Sequence, residues 1–364
     1  MRVVVTGATG NVGIPLLRRL CADPAIAGVV GVARRPPAEG TGPAGTESVE
    51  WVACELGAAD APERLRPALV GADVVVHLAW LLQPSHRPQV MYATNVDGTR
   101  QVIDAVVAAG VPGLVHASSV GAYSPGPKDR YVDESWPTEG IASSVYSRHK
   151  VAAERMLDRL EREQPSLRVV RMRKALILSG DAGSALARYF LGRLVPGALV
   201  QPRLLPLVPD LDRLRLQGVH SDDVAGAYQL AIAADLSGPI NLAAEPVLDP
   251  ASLAELLGAR PVPLPAGLLR SAVDWSWRLH LQPTDPGWLD LALGVPLLDT
   301  ARARSELGWT PAHDAGSALL EALGGIATGA GLPTAVLRPR STPVRRLTDA
   351  ARRIPAAARL VRRR

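Results

Sequence analysis

The 364-residue chain has the composition of a soluble globular protein, 47% apolar and 21% charged, with a net charge of +5. Its length exceeds the roughly 250–300 residues at which one core stops growing, so a main domain with a smaller lobe is expected. Ten arginines against one acid lie between Arg338 and Arg364, which leaves a mildly acidic body and argues against a basic nucleic-acid-binding surface. Two cysteines, Cys21 and Cys54, supply neither a disulfide framework nor a metal-ligand cluster. No stretch has the length of an uncharged membrane span and the chain enters a strand at Arg2 with no leader, so a cytoplasmic location is expected.

The first element is a β-branched run, Val3 to Thr6, followed by glycines at 7, 10 and 13 and an amphipathic segment from Ile14 to Leu20. A strand apolar on both faces reads as a buried parallel strand. The glycines suit a tight turn, a close approach to a pyrophosphate and close helix packing, and the helix points free N–H groups at the phosphates. Gly7, Thr9, Gly10, Asn11, Val12 and Gly13 are therefore candidate cofactor residues. Val29–Ala33 is a second strand, ended by Arg34 and Arg35. In a dinucleotide fold an acid at this point reads the ribose of NAD and an arginine reads the 2′-phosphate of NADP. The two arginines favour NADP over NAD.

Strands are further expected at Glu50–Cys54, Asp73–His77 and Leu114–Ala117. Trp80, Leu81, Leu82 and Trp136 are candidates for an apolar substrate mouth. A long helix runs to Ala109 and bears Asn95, a poor helix-interior residue. The fifth strand delivers Ser118 and Ser119 at its carboxyl end, where catalytic groups of open parallel sheets gather. Tyr146 and Lys150 are four apart at the head of a helix extending to Glu163, so they share one helical face. The ammonium is expected to lower the phenol's pKa, letting Tyr146 exchange a proton while a seryl hydroxyl holds a carbonyl or carbinol oxygen.

Thr6-Gly7-Ala8-Thr9-Gly10-Asn11-Val12-Gly13, Asn95-Val-Asp-Gly-Thr, Tyr146-x-x-x-Lys150 and Val219-His-x-Asp-Asp-Val224 together resemble the extended short-chain dehydrogenase/reductases of the epimerase/dehydratase family. The resemblance covers residues 1 to about 328. It implies a Rossmann-type doubly wound α/β fold with a smaller C-terminal α/β lobe. It also implies Ser119, Tyr146 and Lys150 as the catalytic group, Glu55, Leu56, Leu78, Ala79, Trp80, Asn95 and Ser118 near the cofactor, and Lys150 on the nicotinamide ribose. The expected domains are 1–175 for the dinucleotide, with contributions from 215–235, and 176–330 mainly for the substrate. Lys174 and Leu216 depart from the residues that nucleotide-sugar enzymes carry.

Further along, Leu167–Leu178 reads as one strand and Asp222 or Asp223 as the cap of the following helix. Pro239–Ala243 reads as a small-lobe strand, Pro261–Pro265 as a linker, and Leu268–Leu281 and 314–326 as helices. The stretch 333–364 reads as a basic, mobile, solvated tail that catalysis does not need, with weak contact with anionic lipid as the alternative. The functional expectation is an NAD(P)-dependent oxidoreductase or epimerase acting on a small carbonyl or alcohol, in a possible homodimer. The alternatives are a nucleotide-sugar epimerase or dehydratase and a non-catalytic NADP sensor.

Overall fold

The computed structural model describes residues 1–192, 196–201 and 204–340. The chain begins with β1 (Arg2–Thr6), α1 (Gly13–Ala22), β2 (Gly28–Ala33), β3 (Glu50–Ala53), α2 (Ala61–Leu69) and β4 (Val74–His77). Then come α3 (Pro88–Tyr92), a π-helical turn at Ala93–Asp97, α4 (Gly98–Ala108), β5 (Gly113–His116), β6 (Tyr131–Val132), α5 (Val145–Glu163), β7 (Arg168–Lys174) and β8 (Leu176–Leu178). The second half adds α6 (Gly183–Leu186), β9 (Leu207–Asp210), β10 (Leu216–His220), α7 (Ser221–Ala233), β11 (Gly238–Leu242) and β12 (Ala244–Leu248). It closes with α8 (Pro250–Leu257), β13 (Arg260–Pro263), α9 (Ala266–Arg278), α10 (Gly287–Gly294), β14 (Leu297–Leu298), α11 (Ala301–Ser305) and α12 (Ala315–Thr328).

Seven strands form one parallel sheet in the order β11-β7-β5-β4-β1-β2-β3. Val3 and Val5 of β1 pack into one apolar cluster with α1 and α7, and Val4 packs into another with α2, α4 and α5. That two-sided burial is why the strand is written as an unbroken Val run. The chain moves from β1 outward through β2 and β3, then returns to β4 on the other side, so the sheet reverses between β1 and β4. Ligands of open α/β sheets bind at the carboxyl ends of strands at such a reversal. Both cysteines are free, Cys54 buried and Cys21 partly so.

Several expectations are corrected. The run Leu167–Leu178 divides at Ala175: β7 stays in the main sheet, whereas β8 pairs with β10 in a three-stranded sheet. An apolar run reports burial and not the neighbour that a strand pairs with. The Pro239 segment, expected in the small lobe, is β11, the main sheet's edge strand, a place where a residue lacking an N–H is tolerated. The Pro261 segment is a strand, β13, beside β9, and not a linker. The helix cap is His220, whose Nδ1 accepts the Asp222 N–H at 3.2 Å; Asp223 instead accepts the Ala312 and His313 amides at 3.0 and 2.9 Å. The extension expected to leave the body at Pro333 stays on it through Arg340, with Thr334 and Leu337 buried. The remaining arginine-rich residues, and the lipid contact expected of them, lie at 341–364, outside the described residues.

Candidate active site

A cavity of about 450 Å³ opens at the carboxyl ends of β1, β4, β5 and β7. Its first wall is the turn after β1. Gly7 has φ +70°, and a Cβ there would lie 2.5 Å from the Ala79 nitrogen, so only glycine lets this turn meet the loop after β4. A Cβ on Gly13 would come 2.5 Å from the Ala8 oxygen, which brings the start of α1 hard against the turn. Gly10 N–H closes the turn on Gly7 O at 3.0 Å, whereas the Asn11 and Val12 amides find no acceptor among the described residues. Free amides at a helix N-terminus, above a floor that no side chain can fill, fit the phosphates of a dinucleotide. When bound, a nicotinamide dinucleotide supplies the hydride acceptor or donor that these residues themselves lack.

The expected cofactor residues fall largely on this cavity. Thr9, Arg34, Arg35, Glu55, Leu56, Leu78, Ala79 and Ser118 all line it. Arg34 is half-exposed and pairs with Glu55 at 3.4 Å, leaving Arg35 free of a carboxylate partner among the described residues. Asn95 is corrected. It is fully buried behind the wall, accepting the Leu81 N–H at 2.7 Å and donating to Leu81 O at 2.9 Å, so it shapes the loop while Thr94 reaches the cavity. The π-helical turn explains how Asn is tolerated within a helical stretch: its amide is used by the neighbouring loop.

The chemical groups converge on the opposite wall. Ser144 caps α5, and Ser147 Oγ donates to Gly121 O at 2.5 Å, fixing the helix on the turn after β5. A side chain on Gly121 would come 2.9 Å from the Tyr146 ring, so this glycine lets the phenol approach. Ser119 Oγ takes the Gly121 N–H at 3.0 Å, and its hydroxyl stands beside the Tyr146 phenol on the cavity wall. Lys150 Nζ donates to Ala117 O at 2.6 Å. Ser118 is turned away, donating to Glu154 Oε1 at 2.5 Å. Burial acts against the Glu154 charge, but bonds and ion pairs from Arg173, with Ser118 and Arg171, hold its carboxyl down to about 2.

The electrostatics differ from expectation. Burial pushes the Tyr146 phenol up to about 12, and the neighbouring Ser119 hydroxyl opposes that shift only in part. Lys150 does not act as the expected depressor of that value. Its Nζ lies 5.8 Å from the Tyr146 ring centre but 3.3 Å from that of Trp80, as a cation–π pair. Burial and the nearby Lys174 hold the Lys150 ammonium well below its ordinary value. Lys174, fully enclosed at the end of β7, is lowered to about 7 by burial and donates to Ser118 O at 2.7 Å and Tyr228 OH at 3.2 Å.

A sign follows for pH. Below about 12 the phenol is protonated, so carbonyl reduction, which needs the proton, should run at a level rate through neutrality. Carbinol oxidation needs the phenolate, so its rate should rise about tenfold per pH unit across the same range. Rate profiles in both directions check this; a neutral-pH break in reduction that persisted in Lys174→Met would contradict it.

The substrate side is apolar. Trp80, Leu81, Leu82, Tyr189, Phe190 and Trp288 line it, with Trp80 edge-on to Tyr146 and Trp288 5.0 Å from the same ring, centre to centre. Trp136 is corrected: its indole donates to Ser124 O and packs into the core away from the cavity. Phe190, Trp288 and the wall residues Ala335–Leu337 escaped the sequence reading, because their segments carry no motif and reach the site only through the tertiary fold.

A doubly wound parallel sheet with a glycine-lined phosphate cradle, and Ser, Tyr and Lys gathered beyond β5, defines a dinucleotide-binding α/β protein of the short-chain dehydrogenase/reductase kind. The NAD dependent epimerase/dehydratase family description matches residues 3–243, and the chain belongs to that family. An uncharacterized protein of Mycobacterium tuberculosis is 29% identical over 322 residues, 86% of this chain; the chain spans only 29% of that relative's length. Among solved structures, UDP-glucose 4-epimerase of Thermus thermophilus in complex with NAD aligns at a TM-score of 0.65 and 21% identity, over 90% of this chain and 99% of that one. A short-chain dehydrogenase/reductase superfamily protein from Agrobacterium tumefaciens with bound NAD aligns at 0.64 and 22% identity, over 97% and 100%. Such identities establish the shared fold.

Proposed function

We propose that the protein is an NAD(P)-dependent oxidoreductase or epimerase that moves a hydride at a carbonyl or carbinol carbon of an apolar small molecule. The observation that carries this reading is that Ser119, Tyr146 and Lys150 line the same cavity as the glycine cradle. Ser119 orients the substrate oxygen, and Tyr146 gives or takes its proton. Lys150, tied to Ala117 O, sets its amine on the wall of the same cavity. NADP is the favoured cofactor: Arg35 has no carboxylate partner among the described residues, and Arg34 can exchange an exposed Glu55 for a phosphate. The rings and leucines of the far wall support an apolar substrate body.

One observation favours the runner-up, a nucleotide-sugar epimerase or dehydratase. Arg215 lines the cavity with a buried Nε that has no partner, a donor a diphosphate would satisfy. Titration calorimetry with NADP and NAD, then turnover of NADPH with a panel of cyclic and long-chain ketones and, separately, conversion of UDP-glucose with the oxidised dinucleotide, separates the readings. We expect NADP to bind at least about tenfold tighter than NAD, with Arg35→Ala erasing the difference, and ketones to be turned over. Equal affinities would overturn the cofactor preference, and turnover of UDP-glucose alone would favour the runner-up.

A further inference from the structure

The residues beyond α12 carry an arrangement that the glycine motif does not account for. Gly329 ends the helix in the left-handed conformation, φ +65°, and the chain folds back over the turn after β1. Leu332 N–H bonds Leu337 O at 2.9 Å, closing a small loop whose tip is Pro333–Val336. A Cβ on Gly331 would sit 2.0 Å from Leu337 O, so this closure requires glycine. Thr334, 4% exposed, donates its hydroxyl to the backbone oxygen of Thr9 at 3.0 Å and accepts the Leu337 N–H at 3.1 Å. Leu337, 1% exposed, enters the core cluster of α1. Arg188 donates to the carbonyls of Val336 and Arg338, and Arg340 N–H bonds Ser184 Oγ at 2.9 Å. The segment is thus fastened at its tip, middle and far end, and Ala335, Val336 and Leu337 form a wall of the same cavity as Gly7–Gly13.

We propose that residues 331–340 are a built-in part of the dinucleotide site: a strap across the phosphate half that must lift for the cofactor to enter or leave. The chosen contact fits this role. The strap grips the loop through Thr9's carbonyl oxygen, leaving the Asn11 and Val12 amides free to face phosphate, so strap and cofactor hold one loop conformation together. By linkage each then tightens the other, and strap opening limits cofactor release. A cofactor retained in this way suits repeated reduction and reoxidation within one site. The inference rests on the dinucleotide reading above.

Stopped-flow release of NADPH, followed by its fluorescence on mixing with excess NADP, tests it in full-length protein, Thr334→Val, Leu337→Asp and a chain ending at Arg340. We expect release to quicken by about tenfold or more in the two point variants and to be unchanged in the chain ending at Arg340. Hydrogen exchange of the unmodified protein gives a readout independent of whether the variants fold: the Leu332, Leu337 and Arg340 amides should exchange at least about tenfold more slowly with NADP bound. Unchanged release in folded Thr334→Val, or equal exchange of these amides with and without NADP, would overturn the strap. Failure of the unmodified protein to bind either dinucleotide would instead overturn the reading on which it rests.

Discussion

Tyr146→Phe should lower turnover by about 10²–10⁴-fold while leaving cofactor affinity within about twofold, because the hydroxyl acts only when the proton moves. The ring's packing survives the change: Trp80 stands edge-on to it and Trp288 tilts against it, contacts that Phe retains. What is lost is the hydroxyl beside Ser119 and the proton it carries. His149, the neighbouring candidate for a substitute acid, faces Asn95 and Tyr92 and does not reach the cavity wall, and burial lowers its imidazole to about 4. Steady-state rates with calorimetric affinities check the prediction. A Phe variant with near-normal turnover would remove Tyr146 from the chemistry and direct attention to Tyr228, the buried phenol bonded to Lys174.

Gly7→Ala should have the second large effect. Alanine at φ +70° costs about 1–2 kcal/mol in backbone terms. The heavier cost is local: the new methyl would lie 2.5 and 2.7 Å from the nitrogen and Cα of Ala79, backbone that cannot step aside without opening the cavity floor. Cofactor affinity should fall by about a hundredfold or more, about 2.7 kcal/mol, alongside a lower melting temperature. Gly71→Ala is the control, since Gly71 has φ +68° with nothing within 4 Å of its Cβ position. It should show the backbone cost without the loss of affinity. Equal behaviour of the two variants in titration calorimetry would mean that the close approach at Gly7 is not what shapes the site.

The parts of this molecule that could be read in the sequence are those in which local pattern and tertiary role coincide. The Val run of β1, its glycine turn and the amphipathic start of α1 form one continuous unit, so composition, periodicity and turn chemistry agree there. Tyr146 and Lys150 were legible as a pair because a helix fixes their spacing. What Lys150 touches was not legible: Trp80 comes from the loop after β4, and its position over the ammonium depends on Asn95 holding Leu81. The partition of Leu167–Leu178 between two sheets was hidden for a similar reason, since both halves read as extended chain and nothing local marks which strand each pairs with.

The C-terminal strap shows the limit from the other direction. Pro333, Arg338 and Pro339 give their segment the texture of a solvated tail, yet Thr334 and Leu337 are among its buried residues. One hydroxyl and one leucine, placed by the turn at Gly329, outweigh the surrounding composition. No periodic signal marks such a segment, because its partners lie far earlier in the chain, at Thr9, Ser184 and Arg188.

The central claim is that Tyr146 and Ser119 deliver a proton to a carbonyl oxygen while a nicotinamide held on the Gly7–Gly13 turn delivers a hydride to its carbon. Incubation with NADPH carrying deuterium at the transferable nicotinamide position, and mass spectrometry of the products from the ketone panel, tests it most directly. The account predicts one deuterium on the carbinol carbon of an apolar product with the unmodified protein, and none above background with Tyr146→Phe. Tight NADPH binding without deuterium transfer to any of the carbonyl compounds, or undiminished transfer in the Phe variant, would contradict it.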